Sequence, residues 1–72
     1  MKFKPGDVVK ILVSVNNIEA NICYGIVIST EYLSHHDVLI QGINKIQDIN
    51  SIYLYPADHD GYMVIYDPEI PF

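Results

Sequence analysis

Cys23-Tyr24-Gly25-Ile26-Val27-Ile28-Ser29-Thr30-Glu31-Tyr32 is the stretch on which the reading of the fold turns. Three consecutive β-branched residues, Ile26, Val27 and Ile28, follow a glycine and run into Ser29, Thr30 and Glu31. Such side chains fit a pleated surface and lose rotamer freedom in a helix. A short apolar run with clear ends predicts a strand buried on both faces near its middle, the central strand of a small sheet or barrel. Gly25, at the start of the run, predicts a close approach of backbone or of a large side chain.

The segments on either side read as further strands. Pro5-Gly6-Asp7 is turn chemistry, and Val8 to Val15 alternates, with Val9, Ile11, Val13 and Val15 on a uniformly apolar face and Val8, Lys10, Leu12 and Ser14 on a mixed one. Asn16 to Asn21 is a loop, Ile22 to Tyr32 the central strand, and Leu33 to His36 a turn. Asp37 to Gln41 places Val38 and Ile40 on one face, and Gly42 with Asn44 makes the next turn. Ile43, Ile46, Ile49 and Ile52 recur every third residue, a spacing open to a short helix, a 3₁₀ turn or a strand. The set lacks i+4 partners, and Asn44, Asp48, Asn50 and Ser51 are weak helix formers, so Lys45 to Ile49 is read as a short strand and Asn50-Ser51 as a turn. Ile52 to Tyr55 and Tyr62 to Tyr66 follow as strands about the five-residue turn Ala57 to Gly61. Pro68 and Pro71 keep the tail out of any ladder.

Seventy-two residues make one domain, 1–72. A chain of this length buries only about 60% of the surface its unfolded form exposes, and such domains often lean on disulfides, metals or association. Cys23 is the single cysteine and is expected to pack as a small apolar side chain, so no internal disulfide forms. Nine acidic residues, four lysines and no arginine give a net charge of −5, a field that repels nucleic-acid backbones; Lys2, Lys4 and Lys10 make one small basic end. No run approaches 18 apolar residues and no apolar leader follows the first lysines, so a soluble, intracellular protein is expected.

His35-His36-Asp37 and Asp58-His59-Asp60 hold the metal-ligand residue types, and both read as solvated turn tips, with no metal and no cofactor expected. Ser34 beside His35 matches a nucleophile-base pair in composition only, and no phosphate-cradling glycine loop occurs, so no enzymatic activity is expected. The tyrosines carry more information. If Ile52 to Tyr55 pairs with Tyr62 to Tyr66 as a hairpin, Tyr53, Tyr55, Met63 and Ile65 share one face and Ile52, Leu54, Val64 and Tyr66 the other. Neither face is polar. Either the tail, through Ile70 and Phe72, covers the spare face, or a protein partner or second copy does, since Tyr and Met are enriched where proteins meet. The candidate protein-binding set is therefore Tyr53, Tyr55, Met63 and Ile65, with Asp58 and Asp60 steering a basic partner.

Phe3-Lys4-Pro5-Gly6-Asp7-Val8-Val9-Lys10, then Tyr24-Gly25-Ile26-Val27-Ile28, Val38-Leu39-Ile40 before Gly42, and Asn50-Ser51-Ile52-Tyr53-Leu54 together resemble the small SH3-like barrel proteins that bacteriophages encode as short accessory proteins. The resemblance covers about residues 3–56 and implies an all-β, SH3-like barrel of about five strands. Residues 57–72, a further strand and a Pro-containing tail, lie beyond the family pattern, and the basic loops of related ribosome- and polymerase-associated barrels are missing. It further implies a non-enzymatic, protein-binding accessory module acting on a larger machine in the host cytoplasm. The alternative is a small structural subunit of a virion or other assembly. With too few cations to release counterions, the protein should show no measurable binding to duplex DNA at physiological salt; micromolar binding with a steep salt slope in a titration would overturn the charge argument.

Overall fold

In a computed structural model that describes residues 2–16, 18–42 and 45–69, the chain is all-β, with a single 3₁₀ turn as its helical element. The strands are β1 (Val8–Val13), β2 (Asn21–Ser29), β3 (His35–Ile40), β4 (Ile46–Asn50), β5 (Tyr55–Pro56) and β6 (Ile65–Tyr66), and the 3₁₀ turn is Ser51–Tyr53. They form one sheet in the order β4-β3-β2-β1-β5, with every neighbouring pair antiparallel. β6 joins β1 beside β5 and runs parallel to it. Among the described residues the sheet is open, because its outer strands β4 and β5 do not pair. No helix among them is long and apolar enough to cross a membrane.

β1 follows from its alternation. Val9, Ile11 and Val13 point into the core, while Val8 is exposed and Lys10 and Leu12 half-buried. The turn before it has Pro5 and Gly6 at its centre, with the Asp7 N–H donating to the Lys4 carbonyl at 3.0 Å. Gly6 has φ +93°, the left-handed value that a type II turn requires at its third residue. The Gly6 N–H donates to the Val27 carbonyl, and the Val27 N–H donates to the Asp7 carbonyl, so the turn extends the β1–β2 ladder. Val27, Val38, Ile40 and Ile49 meet the β1 set from the other strands, and Leu54, Met63 and Tyr66 close the core. Cys23 sits half-buried against it as a free thiol.

Gly25 lies opposite Val9 on one side and Ile40 on the other. A Cβ there would stand 2.7 Å from Val38 Cγ1 and 3.1 Å from the Leu39 carbonyl oxygen. The predicted close approach is thus made by a fully buried valine with no room to retreat.

Four expectations are corrected. β2 is central in the strand order, yet it is buried on one face only: Ile22, Tyr24, Ile26 and Ile28 are exposed. The short strand read over Lys45 to Ile49 is present as Ile46–Asn50, but the strand expected from Ile52 is replaced by the 3₁₀ turn, where the Asn50 side chain accepts the Ile52 N–H at 3.0 Å. The third strand starts at His35 rather than Asp37, so His35, His36 and Asp37 are strand residues and not a turn tip. Finally, the C-terminal hairpin does not form, because β5 and β6 both pair with β1 and not with each other. Ile43, Asn44 and the tail residues Ile70 to Phe72 lie outside the described residues.

Substituting Gly25→Val should lower stability by about 1–3 kcal/mol, the range for overpacking a tight site. Chemical denaturation checks this, and an unchanged midpoint would mean that Val38 yields without cost.

Candidate functional site

The C-terminal segment takes a shape of its own. Pro56 ends β5, the His59 N–H closes a turn onto the Pro56 carbonyl at 2.9 Å, and the His59 ring packs on Tyr55 with centroids 4.6 Å apart. The Val64 N–H donates to the Tyr55 hydroxyl at 2.9 Å. The phenol therefore takes a backbone donor that a hairpin ladder would have used. His59 Nε2–H donates to the Tyr62 carbonyl, and the Lys10 ammonium donates to the His59 carbonyl at 2.7 Å, so this loop is fastened to β1. Beyond β6, the Asp67 carboxylate accepts the N–H groups of Asn16 and Glu69.

This geometry divides the six residues expected to bind protein. Met63 is buried, and the half-buried Tyr53 packs on Tyr66 at 5.3 Å. Asp58 and Asp60 are exposed in the loop after β5. Tyr55 lies opposite Lys10, and the exposed Ile65 lies opposite Leu12. The structure thus does not bring the six onto one face; only Tyr55 and Ile65 sit at register positions that continue the outer face of β1.

That outer face is the feature the sequence reading missed. Val8 stands opposite Ile26, Ile26 opposite Leu39, and Leu39 opposite Ile46, a single row across four strands. Their exposures are 49%, 45%, 38% and 55%, so no described residue covers the row. Beside it runs Lys10 opposite Tyr24, then Leu12 opposite Ile22. Between Tyr24, Ile26, Val8 and Leu39 lies an open groove of about 380 Å³. Past the Val8 row, a bulge between Val27 and Ser29 shifts the register and Asp37 pairs opposite Asp48, so the apolar area has one acidic end. The signal is present in the sequence as the even positions of the central strand, which alternation alone does not distinguish from internal burial.

His35 Nδ1 contacts Asp48 Oδ1 at 2.6 Å and its ring stacks on Tyr32, both on exposed surface. His36 is only 6% exposed, edge-on to Phe3, and its Nδ1 has no hydrogen-bond partner. It borders a cleft lined by Lys2, Phe3, Thr30 and Leu33, but that nitrogen is sealed from solvent. Among the described residues no group of three or more His, Cys, Asp or Glu side chains is placed to hold a metal ion. No protein-family model, curated protein or solved structure matches the chain.

Burial raises the proton affinity of the Tyr66 phenol above its ordinary value, and Tyr53, Asp48 and Asp67 add to the effect. A raised folded value means that the native state holds this proton more tightly. The contribution is complete below the unfolded value near 10 and is lost as pH rises through the folded one. Urea midpoints should therefore fall above about pH 10, and more steeply in the wild type than in Tyr66→Phe. Parallel curves for the two proteins would remove Tyr66 as the cause.

Proposed function

We propose that this chain is a non-enzymatic protein-association module whose working surface is the outer face of the sheet around Tyr24, Ile26 and Leu39. The observation that carries this reading is the uninterrupted apolar row from Val8 to Ile46, exposed across four strands. Eight large apolar residues on this side, including Ile22, Ile28 and Ile65, expose on the order of 700 Å² together, against about 300–600 Å² for the largest patch on a typical monomer. Tyr55 and Ile65 extend the surface, and the exposed Asp58 and Asp60 repel acidic competitors such as nucleic acid.

The strand order, with a 3₁₀ turn leading into β5 and β5 returning to β1, supports the SH3-like barrel resemblance. With that resemblance comes the accessory role on a larger machine, bacteriophage-encoded and at work in the host cytoplasm. The second reading, a small structural subunit of a virion or other assembly, is favoured by the described free edge of β4, which pairs only with β3 and is open to strand addition.

Affinity capture from infected cells tests the module. Ile26→Glu should lose captured protein, whereas Tyr53→Ser with Tyr55→Ser should lower stability first, since both rings make internal contacts. Equal capture by wild type and a folded Ile26→Glu variant would rule the outer face out as the docking surface for another protein.

A further inference from the structure

Building on the reading that the outer face is the working surface, we infer that its occupant is a second copy of this chain, packed sheet on sheet about a two-fold axis. Area is the first argument. Covering the exposed apolar residues completely on both copies removes at most about 1,400 Å² in total, which reaches the roughly 1,200–2,000 Å² of stable protein interfaces. Two such faces meet as the sheets of a sandwich do, about 10 Å apart, with rows of one interdigitating with rows of the other. The groove bounded by Tyr24 and Leu39 gives each copy a recess for a side chain of its partner.

Charge is the second argument, and it also selects the orientation. The rows built on Val8, Lys10 and Leu12 contain no carboxylate, and the Lys10 ammonium is held by the His59 carbonyl, so a basic partner finds nothing there to pair with. Two copies each carrying a net charge of −5 still repel unless their acids stay apart. The two carboxylates that stand in register on the strands of this face, Asp37 and Asp48, lie at one end of it, beyond the bulge. A two-fold axis lying in the interface and running across the strands makes the two sheets antiparallel. It sets each Asp37–Asp48 end over the Leu12–Ile22 end of the other copy. An axis along the strands would bring both acidic ends to the same end of the interface and is disfavoured.

Sedimentation of the wild-type protein from micromolar to millimolar concentration provides the test. The expected mass is twice 8.2 kDa. Ile26→Glu, which places a charge at the centre of the contact, should weaken the dimer by about 100-fold or more. Tyr62→Glu, on an exposed residue off the sheet, should leave it unchanged. If circular dichroism shows Ile26→Glu unfolded, Tyr24→Lys replaces it, and the wild-type mass decides in any case. A strict monomer overturns the inference, and so does a dimer indifferent to a folded face variant. Should the monomer nonetheless lose a captured protein on Ile26→Glu, self-association alone is wrong and the association module stands. A face-dependent dimer that captures a further protein equally well with and without Ile26→Glu sustains the inference and removes the docking role from this face.

Discussion

β1 has two hydrogen-bonding edges, and the chain returns to both. β2 takes one edge along its whole length, from Val8 opposite Ile26 to Val13 opposite Asn21. β5 and β6 divide the other, at Val9–Lys10 and Leu12–Val13. A strand paired along both edges can place a fully apolar face inward while stranding few polar atoms, and Val9 and Ile11 are fully buried in so small a molecule. The remaining strands inherit their register from it: the Val8–Ile26 pairing fixes where Leu39 and then Ile46 fall. A one-residue slip at β1 would turn each of these to the opposite face.

Alternation made β1 and the inward pair Val38 and Ile40 legible, because a period of two is a local property of the sequence. The close approach at Gly25 was legible for a similar reason: a glycine within a β-branched run marks a place where a side chain does not fit. The faces of β2 were not legible. Periodicity tells that Ile22, Tyr24, Ile26 and Ile28 are apolar, but it does not tell whether the layer above them comes from the same chain. Nor was the fate of Tyr55 visible, since it depends on one phenol reaching the N–H of Val64, nine positions away, in preference to a ladder. The place of His36 was not legible because the strand starts two residues before the expected Asp37, and a histidine in an inward register position is buried whatever its polarity.

The apolar composition of the chain thus serves two layers, only one of which lies inside the molecule. The inner layer is small, a set of valines and isoleucines with Leu54, Met63 and Tyr66 at its margin. The outer layer contributes little until something excludes water from it, at about 25 cal/mol for each Å² removed. Stability and association are then coupled: whatever covers the face raises the apparent stability of the fold by mass action.

The parallel pairing of β6 with β1 has a consequence for biosynthesis. Leu12 cannot meet Ile65, nor can the Asn16 N–H reach Asp67, until more than fifty further residues have been made. At translation rates of about 5–20 residues per second, the second edge of β1 therefore waits seconds with its amides unpaired while β2 is already emerging. Contacts so far apart in sequence also slow the final closure. A nascent β1–β2 pair presents an unguarded strand edge and an apolar face at the same moment, so the polysome is where neighbouring copies would first cross-pair, and where a trigger-type chaperone would have most to protect.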